Sequence, residues 1–333
     1  MQETWKAFLE QEGATILNDD VINFNHSDID LTKTPLAAPI SGFAMLAVSG
    51  NDRHVFLHGQ FINDLNLIEE PAAQISAWCN PKGQLITNFI IINTGIAYLL
   101  IFKADLKEFV QKRLGMFVMR SDVTINDISD SSPILGLANC NDVASLNIIF
   151  PTTTGEISAD EGLIVISHPD GSGRYLITGS IEALQKNISN FKNSLTMTGS
   201  HNWNLLDILA GLPWITSLTQ EQYLPQMLNL DALNGLSYQK GCYPGQEVIA
   251  RLHYRGEVKK RLCLLKSEQH LSIGDPLTLE HSDNVVGNVL NAETHPDESC
   301  YALAVIALDK VNDKLMIENN EVAIIELPYA IES

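Results

Sequence analysis

The chain of 333 residues carries a net charge of −19, an apolar share of 45% and five cysteines. That length holds two or three domains with filled cores, and a charge of that sign excludes a protein that wraps duplex DNA or RNA with its whole surface. The longest apolar runs, such as residues 96–102, fall far short of the roughly 20 residues a bilayer span takes. Met1-Gln2-Glu3-Thr4-Trp5 lacks a basic or apolar leader, so a soluble, bacterial-type cytoplasmic protein is expected.

Phe43–Ser49 reads as a strand, and Asn51-Asp52 as the start of a helix that runs through Val55, Phe56, Phe61 and Leu65. His54 and His58 stand four apart on it, but no glutamate completes an H-E-x-x-H pattern, so they read as partly exposed histidines rather than metal ligands. Strands follow over Ala72–Cys79, Leu85–Asn93 and residues 96–102, with turns at Pro81-Lys82-Gly83 and Asn93-Thr94-Gly95. A helix over 105–114, capped by Asp105 and stopped by Gly115, precedes a strand over 116–125. Further strands are expected over 133–140 and Leu163–Ser167, then a hairpin turn at Asp170-Gly171 and a strand over 174–178.

Ser180 caps a helix over 181–192, and a second helix over 203–210 ends at Gly211 before Pro213. Asp207 interrupts the apolar face of that second helix. An exposed acid and a carboxylate facing a pocket both fit it. Residues 225–236 read as irregular. From about Glu257 the pattern changes to short strands over 258–265, 276–280, 285–291, 300–308 and 321–327, which suggests a small β-barrel or sandwich. No dinucleotide or P-loop fingerprint is present. Cys79, Cys140, Cys242, Cys263 and Cys300 are scattered without a C-x-x-C pair, which suggests neither a disulfide framework nor a local zinc site.

The most informative stretch begins Lys240-Gly241-Cys242-Tyr243-Pro244-Gly245-Gln246-Glu247 and continues through Ala250-Arg251 to Tyr254-Arg255-Gly256. Pro244 and Gly245 place the thiol in a turn, ahead of a helix over 246–253. A neighbouring ammonium and a helix N-terminus both favour a thiolate, the form that reacts or binds metal, while Glu247 opposes it. A reactive thiolate and an inert thiol tucked into a turn both fit these residues. Six Lys and Arg against two Glu over 240–261 give that segment +4 and leave −23 for the rest. A basic patch that attracts a polyglutamylated folate or a nucleic-acid backbone, and a solvated helix face, are both consistent with this.

This stretch closely resembles the signature of the YgfZ family of folate-binding proteins. Phe56-Leu57-His58-Gly59-Gln60 through Asn63-Asp64-Leu65, and Trp203 to Pro213 with Gln222 to Leu236, resemble the family pattern as well. The resemblance implies an α+β chain: a folate-binding, aminomethyltransferase-like body over 1–256, in two interleaved subdomains of roughly 1–130 and 131–256, and a C-terminal β-barrel over 257–333. It implies an accessory protein for iron-sulfur cluster assembly or repair, and thereby for cluster-dependent tRNA-modifying enzymes. Its partners would be a folate, iron-sulfur client or assembly proteins and, indirectly, tRNA. On this reading Cys242 and Lys240 form the reactive loop. Asp207, Arg251, Arg255, Tyr254, Gln246 and Glu247 would serve the ligand, tetrahydrofolate or a derivative, with no resident metal.

Two positions depart from the relatives' pattern. Gly83-Gln84-Leu85-Ile86-Thr87-Asn88 has Thr87 and Asn88 where the glycine-cleavage relatives carry an acidic pair, which argues against aminomethyl transfer. Leu209 stands where the family has a glutamate for the pterin, so the pterin's N–H donors lose their expected acceptor. A folate-dependent one-carbon transferase acting on tRNA or another substrate, and a non-catalytic scaffold, are the alternative readings.

Overall fold

In the computed structural model, which describes residues 1–24, 29–68, 71–140, 146, 148–160, 162–318 and 320–331, the runs rich in β-branched and aromatic residues form strands. Leu85–Asn93 is buried along its whole length and Tyr98–Lys103 along all but its last residue. A sheet covered on both faces reads in sequence as continuous apolar runs, which is why these two stand out. They belong to a five-stranded sheet in the order Ala72–Cys79, Leu85–Asn93, Tyr98–Lys103, Phe43–Ser49, Thr124–Asp127.

A second sheet has six strands, in the order Ile157–Asp160, Leu163–Ser167, Tyr175–Gly179, Ile134–Ala138, Leu36–Pro39, Thr196–Met197. Its pairs are antiparallel except the last, which is parallel. The α-helices are α1 (Glu3–Gln11), α2 (Arg53–His58), α3 (Lys107–Gly115), α4 (Ile181–Phe191), α5 (Ser200–Leu209) and α6 (Gln246–Arg255). Trp5 and Leu9 of α1 and Leu184, Ile188 and Phe191 of α4 share one core with Leu135, Leu137, Val165 and Ile177 of the six-stranded sheet. Ser180 caps α4 by accepting the Ala183 amide at 3.2 Å, as its sequence position implies.

Lys260–Ser267, Cys300–Ala307, Ser282–Thr294, Pro276–Leu279, Leu315–Ile317 and Asn320–Ile325 form a closed barrel in that order. Leu265, Leu277, Val289, Ala302, Ala304 and Ile306 fill it. Closure comes from the pairing of Lys260–Ser267 with Asn320–Ile325, Leu265 opposite Ile324, and leaves no sheet edge exposed. The first strand of the barrel starts at Lys260, after α6 ends at Arg255.

Three local expectations are corrected. The first helix stops at His58, where Gly59-Gln60 forms a turn, and Phe61 instead bridges to Trp78. Asp105 does not cap α3; the chain enters it through a 3-10 turn at Ala104–Leu106, so Asp105 lies within that turn. Residues 116–123 are turns, with Met119 at φ +48°, and only Thr124–Asp127 pairs as a strand. Met116, Phe117 and Met119 supplied the apolar strand pattern, yet all three are exposed, so no burial held them extended.

Packing divides the chain into two compact units. One comprises 1–56, 66–74 and 89–203; the other comprises 57–65, 75–88 and 204–333. The barrel and the Lys240–Glu247 loop both fall in the second.

Candidate functional site

Within the second unit, the loop ahead of α6 is held at three points. Gly245, at φ +83°, caps α6 with its backbone, and a Cβ there would stand 2.6 Å from the Asn80 carbonyl and from Gly83 Cα. Gly83 is itself at φ +76°, in the turn closed by its own amide donating to the Asn80 carbonyl. Only glycine permits so close an approach of two backbones at positive φ. The glycines of the two sequence motifs, 83 and 245, are therefore packed on each other.

The second hold is Lys240. It is 6% exposed, and its ammonium donates to the carbonyls of His58 and Phe61, tying the loop to the C-terminal end of α2. Burial lowers its pKa to about 8, against the opposing charge of Asp64. The sequence places this ammonium next to the thiol, whereas the structure directs it at two backbone carbonyls. Gln246 supplies the third hold, with Nε2 donating to the Lys240 carbonyl at 3.3 Å and to that of Gly241 at 3.5 Å.

Cys242 is exposed between these holds. Cys79 and Cys300 are buried, Cys140 and Cys263 half-buried, and burial raises the pKa of all four. His58 lines the same loop: its Nδ1 lies 3.6 Å from Asp64 Oδ1, and a Cβ on Gly241 would stand 3.9 Å from its Nε2. No group of three or more His, Cys, Asp or Glu among the described residues is arranged to hold a metal ion.

On α6, Arg251, Tyr254 and Arg255 are exposed and share a face by their helical spacing, with Glu247 one turn earlier. Tyr238 stacks on His253 with centroids 3.7 Å apart and planes within 8°, and Tyr254 stands edge-on to both. Buried polar side chains, not singled out by sequence reading, brace this assembly. Gln226 donates to the Ile249 carbonyl of α6, Asn229 to the Leu262 carbonyl of the barrel, and Arg261 to the Gln226 carbonyl and to Asp231. Single polar residues such as Gln226 and Asn229, set among apolar ones, carry no sign in sequence of which carbonyls they will meet.

Asn88 and Asp207 are both 1% exposed. Asn88 donates to the Pro213 carbonyl at 2.7 Å and accepts the Ile215 amide at 2.9 Å, so its side chain clamps a neighbouring segment. Asp207 accepts the Trp214 indole N–H at 2.8 Å. The backbone of Trp214 is held in turn by Asn291, which accepts its amide and donates to its carbonyl.

A tRNA-modifying protein YgfZ from Colwellia psychrerythraea is 30% identical to this chain over 307 residues, covering 88% of the chain and 92% of the relative. The chain belongs to the YgfZ family. Its relatives of the same name from Pectobacterium carotovorum and Klebsiella pneumoniae are each 28% identical, over 89% and 88% of the chain respectively and 92% of each relative. Among solved structures, the glycine cleavage system aminomethyltransferase T from Bartonella henselae superposes with a TM-score of 0.78, covering 98% of this chain and 97% of its own at 13% identity. This YgfZ-family chain thus has the aminomethyltransferase T fold, with mixed helices and sheets and a closed six-stranded C-terminal barrel. No family model matches the chain. Among the described residues, no helix is long and apolar enough to cross a membrane.

Proposed function

We propose that this YgfZ-family protein supports iron-sulfur cluster assembly or repair, and through it cluster-dependent tRNA-modifying enzymes, with the Cys242 thiolate as the group that meets the cluster or its client. The observation that carries this reading is one exposed thiol on a loop whose backbone is fixed from three sides. Thiolate ligation or exchange needs access, and a held loop presents the sulfur in one place. Lys240 and Gln246 act by holding that loop. Arg251 and Arg255, with Tyr254 between them, form a basic rim for an anionic ligand, and Glu247 balances charge in the first turn of α6.

Tetrahydrofolate or a derivative is the ligand that the fold suggests, but the residues present do not supply its acceptor. Leu209 holds the glutamate's place, and the Asp207 carboxylate is buried against Trp214. A one-carbon transferase is favoured only by the likeness in fold and is opposed by the buried clamp at Asn88; a scaffold with an inert Cys242 is opposed by the exposure of that thiol.

The test is Cys242→Ser in cells whose own copy is deleted, reading the product of a cluster-dependent tRNA-modifying enzyme. Loss of that product with normal protein level is expected. Full activity of the variant would sink the thiol role, and turnover of a folate one-carbon unit by the purified protein would establish the transferase instead.

A further inference from the structure

The last turn of α6 carries a stacking platform at His253, four residues after the buried Ile249 and about half a turn round the helix from Arg251 and Arg255. Tyr238 covers one face of the His253 imidazole at 3.7 Å, and the centroid separations of 4.6 Å from Tyr254 to His253 and 6.4 Å from Tyr254 to Tyr238 place Tyr254 nearly at right angles to that stacking axis. Tyr254 therefore stands at the rim of the imidazole, not over it. His253 is exposed, so its open surface is the face opposite Tyr238. Tyr254, 65% exposed, walls one side of that face. A flat π system laid on His253 would extend a stack that is already built.

The segment that carries His253 and Tyr254 is cationic, while beside Tyr238 the Asp231 carboxylate is paired with Arg261 at 2.7 Å. Arg251 and Arg255 flank Tyr254 on the same helix face, and Lys259 and Lys260 follow, all exposed. Against Glu247 and Glu257 this gives +2 over residues 246–260, in a chain that carries −19 as a whole. Single-stranded nucleic acid is recognised by this pairing of aromatic faces for bases with cations for phosphates. An acidic peptide would use the cations and leave the platform idle. A duplex would offer no unstacked base.

We propose that the Tyr238–His253–Tyr254 platform, with Arg251, Arg255, Lys259 and Lys260, binds a single-stranded segment of RNA, one base stacking on His253 and the adjoining phosphates meeting the cations. This deepens the tRNA-linked reading above, which it rests on, by giving the protein a direct contact with RNA instead of one made only through client enzymes. A strand held there lies about two helical turns from the Cys242 loop along α6.

The test uses the full chain and a fluorescein-labelled 12-nucleotide oligoadenylate, with bulk tRNA as competitor, followed by anisotropy across a salt series. Binding that tRNA competes away is expected, with log affinity falling against log salt at a slope of up to about −3, since each neutralised single-strand phosphate contributes about 0.7. His253→Ala should weaken binding roughly tenfold or more at every salt concentration without changing the slope. The double variant Lys259→Ala, Lys260→Ala should flatten the slope by about 1.4 while the melting transition stays in place. Absence of RNA binding at low salt, binding indifferent to His253→Ala, or displacement by polyglutamate that is equally effective on wild type and His253→Ala would each overturn the proposal. The cell assay of Cys242→Ser reads the thiol role without RNA binding, so the two readings fail separately.

Discussion

Lys240 shows how one buried charge can organise a loop and leave a measurable trace. Its folded pKa of about 8 lies below the ordinary 10.5, so between those values the unfolded chain binds more protons than the folded one, and stability rises with pH across that window. Below pH 8 the full cost of the buried ammonium is present. Lys240→Met removes the titration, so the gain in denaturation midpoint that the wild type shows from pH 8 to pH 10 should be absent from the variant and should appear as a growing difference between the two proteins. Asn88→Asp makes the opposite kind of change. It places a carboxylate where an amide now donates to the Pro213 carbonyl, and should cost about 2–4 kcal/mol in urea unfolding without producing aminomethyl transfer. On the folate reading proposed above, Leu209→Glu supplies the acceptor that the pterin would lack, and should raise affinity for tetrahydrofolate at least tenfold by calorimetry. Micromolar binding by the wild type would instead mean that the pterin has found another acceptor.

At the scale of elements, α6 owes its placement to two glycines more than to its own apolar residues, of which Ile249 is the one buried. Its N-terminus approaches the Asn80–Gly83 turn closely enough that any side chain at 245 collides with backbone. Gly245→Ala combines that collision with an unfavourable φ, and should cost about 2 kcal/mol or more and loosen the Cys242 loop. Faster proteolytic cleavage between 239 and 246 checks the second effect. The same scale explains where sequence patterns misled. Residues 116–125 have a strand's composition, but the strand forms only where Phe43–Ser49 supplies a ladder, at Thr124–Asp127. Leu315–Ile317 escaped notice for the reverse reason: three residues carry too little pattern, yet the barrel needs them between Pro276–Leu279 and Asn320–Ile325.

Over the whole molecule, the five cysteines report on stability. Cys242 is exposed, while burial raises the pKa of Cys140 and Cys263 to about 11 and that of Cys79 and Cys300 above the usual thiol value. Iodoacetamide at pH 7.5 should therefore alkylate Cys242 at least tenfold faster than any other cysteine, with Cys79 and Cys300 reacting only as the protein opens. Peptide mass mapping over time checks this. The sequence alone determined the strand-rich body, the cap of α4, the short-stranded C-terminal region and the loop that carries the thiol, because these follow from local apolar period, turn residues and one long motif. It could not determine what each polar residue touches. Lys240 was legible as a charge beside a thiol, but its carbonyl partners, the Asp207–Trp214 bond, the clamp of Asn88 and the parallel stack of Tyr238 on His253 join residues 7 to 182 positions apart. Such pairs are fixed only when the sheets and helices have packed, since a buried donor takes whichever acceptor the fold brings within reach.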